Sequence, residues 1–212
     1  AVATLTQAQI TANAGPIILD SCNPVAEEQA VLVLGDAAPL FPPMNAEAAW
    51  TGSAFINRIA SASAQVSASL GTDDNGTLHT LSAALSGTIT TDVPATRNPS
   101  CEIVGEGNAE FLFTVSGGSM SYSISESPVS PADHGSDNAD SALFLTGTTP
   151  TLLYGLDAAG TLQGTATGVL APGSYRYVLH AFYANSLFSF GSDSGTASNT
   201  GTLTLIPVAP AP

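Results

Sequence analysis

Alternation of apolar and polar residues is the main pattern along this chain. From Ile59 onward, Ser or Gln separates small apolar residues at every second position: Ala60, Ala62, Ala64, Val66, Ala68 and Leu70. A period of two predicts a half-buried β-strand, and the alanines predict an opposing layer that approaches closely. The alternation recurs in three other segments: Phe111, Phe113 and Val115; Met120, Tyr122 and Ile124; and Leu203 and Leu205.

Turn signals separate these segments at short intervals. They are Asp74-Asn75-Gly76, Ser116-Gly117-Gly118, Ala159-Gly160, Pro172-Gly173 and Thr200-Gly201. Short strands joined by such turns predict an all-β fold, an antiparallel β-sandwich or jelly roll. Residues 46–68 contain enough alanine for a helix, but their serines and Thr51 weaken that alternative. We therefore predict strand there, with one helical turn near Ala46.

The chain length fits one large β-domain, because sandwiches often reach 200–250 residues undivided. We predict a spare N-terminal strand over residues 1–15, the sandwich over 16–206 and a proline-rich tail over 207–212. In the first segment Val2, Ala8, Ile10 and Ala12 alternate with polar residues. Such a strand either pairs in its own sheet or adds to the sheet of a neighbouring subunit, and the second case produces a polymer.

Charge is unusually scarce for a soluble domain. The chain has no lysine, 3 arginines and 17 acidic residues, so charged residues make up 9% and the net charge is −14. That balance excludes nucleic acid as a partner, because phosphate binding needs Lys and Arg. No run reaches 18 apolar residues, so we predict no membrane span. Lysine is the residue that most often protects edge strands from pairing with other chains. Its absence favours copies of the same chain as the partner.

The two cysteines bear on the compartment. Cys22 and Cys101 lie far apart and belong to no metal-binding spacing. A disulfide between them favours an extracellular or cell-surface protein exported through a cleaved signal peptide. Two buried free thiols are the alternative. A first residue of Ala1 fits either a mature secreted product or a cytosolic product trimmed of its Met.

A polar stretch over residues 127–141 holds the candidate metal site. Asp133, Asp137, Asn138 and Asp140 supply the oxygen ligands that Ca²⁺ prefers. Their spacing does not match an EF-hand loop, and a solvated acidic loop is the alternative. We predict no other cofactor.

Catalytic motifs are missing from the sequence. His79, His134 and His180 could each belong to a triad, but no Gly-x-Ser-x-Gly elbow accompanies them. We therefore predict that the protein is not an enzyme. A different row, Tyr175, Tyr177 and Tyr183, shares one strand face. If exposed, these rings would stack on glycans; core or subunit interface is the alternative.

Two local sequences resemble a known family. Leu170-Ala171-Pro172-Gly173-Ser174-Tyr175 is similar to a strand start found in bacterial secreted β-sandwiches, and the tail Pro207–Pro212 resembles exported surface proteins of the PEP-CTERM kind. The sorting motif of that family has a glutamate where this tail has alanine, and the membrane helix and basic end that follow it are missing. The resemblance covers about forty residues and implies an envelope or matrix role without catalysis. Pilus subunits that polymerise by donor strands also combine a β-sandwich, a disulfide and a spare N-terminal strand, but no sequence motif connects this chain to them.

These observations predict a structural subunit of an extracellular filament, pilus or surface layer that assembles by β-strand addition. The first alternative is a secreted carbohydrate-binding or adhesive module. A hydrolase and a viral or phage coat protein are further alternatives.

Overall fold

The computed structural model describes residues 1–16, 28–35, 44–53, 59–93, 102–130, 138–158, 163–186 and 191–209, which form twelve β-strands and no helix. The strands are β1 Val2–Pro16, β2 Glu28–Gly35, β3 Met44–Ser53, β4 Ile59–Thr72, β5 Leu78–Val93, β6 Glu102–Ser116, β7 Met120–Glu126, β8 Asn138–Leu145, β9 Thr151–Ala158, β10 Gly164–Leu170, β11 Gly173–Ser186 and β12 Gly191–Pro207.

Two antiparallel six-stranded sheets pack face to face. Sheet I has the order β2-β1-β6-β11-β8-β9, and sheet II has the order β10-β7-β12-β5-β4-β3. β2 packs against β3 on one side of the molecule, and Tyr154 and Leu156 of β9 lie beside Gly164 of β10 on the other. Each sheet thus buries one face on its partner, and the predicted single-domain β-sandwich is confirmed.

The core includes most of the alternating residues that the sequence pattern identified, although Leu70 and Tyr122 are only partly buried. Ala62, Ala64, Val66 and Ala68 of β4 are buried, and so are Phe111, Phe113 and Val115 of β6. Small residues bring the sheets together: a Cβ on Gly87 of β5 would overlap the carbonyl oxygen of Gly105 on β6. The close layer expected from the alanines is therefore present.

Three predicted turns connect strands, one predicted turn is wrong, and Ala159-Gly160 lies outside the described residues. Pro172-Gly173 connects β10, which ends at Leu170, to β11, which begins at Gly173. Gly76 ends the β4–β5 hairpin with φ of 78°, and Gly117 connects β6 to β7 with φ of 66°. The Asp73 Oδ1 atom accepts hydrogen bonds from the backbone N–H groups of Asn75 and Thr77. Thr200-Gly201, in contrast, lies inside β12. A side chain at Gly201 would overlap Leu179 of sheet I, so glycine there permits close packing rather than a turn.

Two boundaries differ from the sequence predictions. Ala46, near which we expected a helical turn, is a buried residue within β3. The polar stretch 127–141 ends earlier than expected, because β8 begins at Asn138. In both places pairing with a neighbouring strand decides the conformation, which local composition does not show.

The N-terminal strand is not spare within the single chain. β1 lies between β2 and β6 and pairs antiparallel with both. Ala8, Ile10 and Ala12 are fully buried in the core, whereas Val2 is exposed. The apolar face that would serve a donor strand is therefore filled by the sandwich of its own chain.

Among the described residues, no helix has the length and apolar character needed to cross a membrane.

Candidate functional site

The edges of the two sheets are the first candidate for an interaction site. β10, an edge of sheet II, pairs with β7 through all seven of its residues, Gly164 to Leu170. Its sequence contains no charge and no proline, the two residue classes that commonly protect edges. β9, the neighbouring edge of sheet I, exposes Leu152 and Leu153 to 58% and 39%. β10 therefore lacks the residues that commonly block strand addition at an edge.

The outer face of sheet II, apart from its edge strand β3, is a second candidate, and we call it the hydroxyl face. It consists of alternate residues of five strands: Ser61–Ser69 of β4, Thr80–Thr90 of β5, Ser121–Ser125 of β7, Thr165–Val169 of β10 and Ser194–Thr204 of β12. All of these are Ser or Thr except Gln65, Ala84 and Val169.

Cross-strand register places hydroxyl groups on this face side by side. Thr88 Oγ1 lies 2.9 Å from Thr196 Oγ1, and Ser82 Oγ lies 3.0 Å from Thr202 Oγ1. At Ala84 the missing hydroxyl leaves a shallow groove of about 470 Å³, lined by Ser67, Ser69, Ser82, Ser125, Thr200 and Thr202. The lining is polar and uncharged.

The outer face of sheet I has the opposite character, because it carries ionisable groups. His180 Nε2 lies 2.9 Å from Glu106 Oε1, and His180 Nδ1 lies 3.6 Å from Asp140 Oδ2. Asn13 Nδ2 donates to Glu106 Oε2 at 3.1 Å. Next to this cluster, Arg176 makes a two-pronged ion pair with Glu110 at 2.9 and 3.0 Å.

These contacts shift the titration of the cluster. Burial opposes the charged imidazolium, but hydrogen bonds and charges from Asp140 and Glu106 outweigh it and raise the pKa of His180 to about 9. The hydrogen bond from His180 lowers the pKa of Glu106, against a smaller opposing effect of burial. The group is thus a cation held between two carboxylates, and a general base needs a neutral imidazole instead.

The other histidines do not form a triad among the described residues. His79 lies with its Nδ1 3.1 Å from the Leu205 carbonyl oxygen and its Nε2 3.4 Å from Asp73 Oδ2. His134 lies outside the described residues. Within the described part of the chain, neither His79 nor His180 has a serine hydroxyl among its hydrogen-bond partners.

The candidate calcium ligands are only partly described. Asp133 and Asp137 lie outside the described residues. Asn138 Nδ2 donates to Asp140 Oδ2 at 2.7 Å, and the same carboxylate faces His180. No group of three or more His, Cys, Asp or Glu side chains in the described part of the chain could hold a metal ion. The structure therefore brings Asn138 and Asp140 together around a histidine.

The tyrosine row lies in the core. Tyr175, Tyr177 and Tyr183 are at most 3% exposed, and Tyr175 and Tyr177 stack on Phe113 and Phe111 respectively. The glycan-stacking interpretation is therefore wrong, because a buried ring face cannot meet a sugar. The core alternative is correct. Tyr175 OH also donates to the Ala171 carbonyl at 2.6 Å, which ties together the motif Leu170–Tyr175.

One polar cluster was not predicted from the sequence. Glu126 at the end of β7 is 2% exposed. Its carboxylate accepts hydrogen bonds from Tyr177 at 2.8 Å, from Tyr154 at 2.9 Å and from the Ser141 hydroxyl. Burial, followed by the nearby Glu126 carboxylate, raises the pKa of both tyrosines. The available signal was position: Glu126 has the inward parity of Met120 and Ile124.

The cysteine pair, Cys22 and Cys101, lies outside the described residues, so the disulfide stays a prediction.

Comparison with known proteins gives little similarity. No protein-family model matches the chain, and no curated protein matches it. A solved structure described as "Structure of infectious bursal disease virus Gx strain" aligns over the whole chain with 10% identity and a TM-score of 0.26. This chain spans 58% of the length of that protein. A TM-score this low supports no inference about shared fold or function.

Proposed function

We propose that the protein is a non-catalytic structural subunit that joins copies of itself by β-strand addition in an extracellular filament, pilus or surface layer. The observation that carries this proposal is the edge formed by β9 and β10. β10 has no charge and no proline, and β9 exposes Leu152 and Leu153 beside it. An edge strand without these protections offers its free N–H and C=O groups to a strand from another chain.

The composition supports the same proposal. Without lysine, the chain lacks the side chain that monomeric β-proteins most often place on edges. The net charge of −14 opposes association at low salt, but ions screen exposed charges beyond about 10 Å at 0.1 M salt. Assembly in a saline extracellular medium is compatible with that charge. Export and the Cys22–Cys101 disulfide belong to this proposal.

One proposed mode of assembly is exchange of β1 between subunits. β1 pairs with β6 along nearly its whole length, from Val2 with Ser116 to Pro16 with Ile103. A neighbouring copy's β1 would meet the same partners in the same register, since the sequence is identical. Exchange of β1 between subunits therefore needs no new contact surface, and edge pairing at β9 and β10 provides a second route.

Engineered cysteines distinguish these arrangements. Thr4 and Thr114 are directly paired across β1 and β6, and paired Cα atoms in antiparallel sheets lie about 4.5–5.5 Å apart, within disulfide range. We would examine the full chain by electron microscopy and the Thr4→Cys/Thr114→Cys variant on non-reducing gels, with each single substitution as control. Filaments or sheets with a ladder of linked multimers indicate exchange, whereas polymers with only intrachain links indicate edge pairing. A chain that stays monomeric at all concentrations contradicts the proposal.

A further inference from the structure

The hydroxyl face contrasts with the net charge of the chain. The charged groups Glu106, Glu110, Asp140, Arg176 and His180 all point outward from sheet I. The hydroxyl face, in contrast, contains no charged residue across five strands. Edge strand β3 places one exposed carboxylate, Glu47, beside Gln65 at the rim of the face. Two copies that meet through the five strands therefore keep the charged groups of sheet I out of the contact.

The size of the face matches that of a stable protein interface. β4, β5 and β12 contribute five to six alternate residues each, and β7 and β10 contribute three each. At about 4.8 Å between strands and about 6.7 Å between alternate residues, they cover roughly 700 Å². Stable complexes bury about 800 Å² on each partner. Ser and Thr side chains are short, and two sheets of the same twist can pack face to face at about −30°. A hydroxyl both donates and accepts, so such groups can pair across two copies of the same surface.

One corner of the face is apolar. Val169 of β10 and Ile206 of β12 flank Ser121 in the same cross-strand row and are 64% and 57% exposed. Val208, 43% exposed, follows two residues after Ile206 and donates its backbone N–H to the Ser119 carbonyl. Burial of these three side chains supplies the hydrophobic contribution that hydroxyl groups lack. A neutral soluble ligand would leave this corner in water.

We propose that the hydroxyl face, together with the corner of Val169, Ile206 and Val208, is an interface with a second copy of this chain. This interface rests on the proposed function, because its partner is another subunit of the same chain. It adds a face-to-face contact that joins neighbouring rows of subunits side by side. This contact is separate from the addition of β-strands at the sheet edges. The pairing is of the two-fold type, in which the same patch serves both copies.

Negative charge placed on the face tests this interface. The variant is Ser82→Glu/Thr202→Glu, a cross-strand pair in the row that all five strands share. The matched control is Thr114→Glu/Ser174→Glu, a cross-strand pair on the outer face of sheet I. Sedimentation velocity at 0.15 M NaCl measures the association of each. We expect the first variant to weaken association more than about tenfold, because like charges then face each other, and the control to match the unmodified chain.

A second variant and a second readout keep the outcomes distinct. Ile206→Glu changes an exposed side chain of β12, which is not an edge strand, and should weaken association without affecting the fold, as checked by circular dichroism. Equal association of both variants and the unmodified chain would overturn the interface. So would a chain that stays monomeric and instead binds soluble neutral polysaccharide in the Ala84 groove.

The Thr4→Cys/Thr114→Cys pair is also introduced into the two variants of the hydroxyl face. It separates strand exchange from the face-to-face interface. If the face variants associate as strongly as the unmodified chain and interchain disulfides still form, strand exchange is supported and the hydroxyl-face interface is wrong. Loss of association in the face variants with intrachain links alone supports the face and argues against β1 exchange.

Discussion

Glu126 of sheet II and Tyr177 of sheet I are joined across the core by a hydrogen bond of 2.8 Å from the phenol to the carboxylate. The same carboxylate accepts from Tyr154 on the edge strand β9 and from Ser141 on β8. One buried acidic side chain thus ties three strands of sheet I to the end of β7. It also fixes the edge strand on which the proposed assembly depends.

Replacement of this carboxylate should be costly. Glu126→Leu leaves the hydroxyls of Tyr177 and Ser141 buried without their acceptor, and we expect the free energy of unfolding to fall by about 2–4 kcal/mol. Tyr154→Phe removes one donor only and should cost about 1 kcal/mol. Urea unfolding measures both. In a Tyr177→Phe background, Glu126→Leu should lower the free energy of unfolding by less, because the Tyr177 hydroxyl that would lose its acceptor is already absent. An unchanged cost would show that Tyr177 does not depend on Glu126.

His180 should make stability depend on pH in the alkaline direction. Its folded pKa of about 9 lies above the ordinary value of 6.5, so the folded state holds the proton more tightly. The stabilisation is therefore complete below about pH 6.5 and is lost as the pH rises through 9. We expect the free energy of unfolding to fall by on the order of 2 kcal/mol over this range.

NMR titration of the imidazole and urea unfolding at several pH values measure this effect. His180→Gln should remove the decline between pH 6.5 and 9 and leave other changes intact. Titration of His180 near pH 6.5 in the folded protein would contradict the role given to Glu106 and Asp140.

Glycine at the closest approach of the sheets should not tolerate a side chain. A Cβ at Gly87 would overlap the backbone of Gly105, which cannot move aside as a flexible side chain could. Gly87→Ala should therefore destabilise the fold by about 1–3 kcal/mol or more. Gly147→Ala is the control, because no heavy atom lies within 4 Å of its Cβ position. Equal thermal stability of the two variants would show that the sheets separate easily.

Lysine on the exposed edge should block assembly. Leu152→Lys/Leu153→Lys places two charges on β9, where both side chains are exposed, so the fold should persist while polymers become rarer. Thr114→Lys/Ser174→Lys is the charge-matched control on β6 and β11, which lie inside sheet I. Light scattering and electron microscopy compare them. Polymer yield that falls equally in both would point to net charge rather than to the edge.

The sequence alone determined the fold class and the orientation of most strand residues. Strict alternation in β4, β6 and β7 assigns an inner and an outer face, because successive side chains of a strand point to opposite sides. Asn75-Gly76 and Gly117-Gly118 identified turns for the same local reason, since their backbone needs positive φ.

Only the tertiary structure decided which strands are neighbours and what the faces meet. Gly201 looks like a turn in sequence but serves sheet packing, because the constraint comes from Tyr177 and Leu179 in the other sheet. Packing also decides that the tyrosine row and Glu126 are buried: alternation places each on one side of its strand, but a tyrosine or a glutamate does not by itself show that this side faces the core. The hydroxyl face likewise exists only through register, which brings serines and threonines from five separate strands onto one uncharged surface.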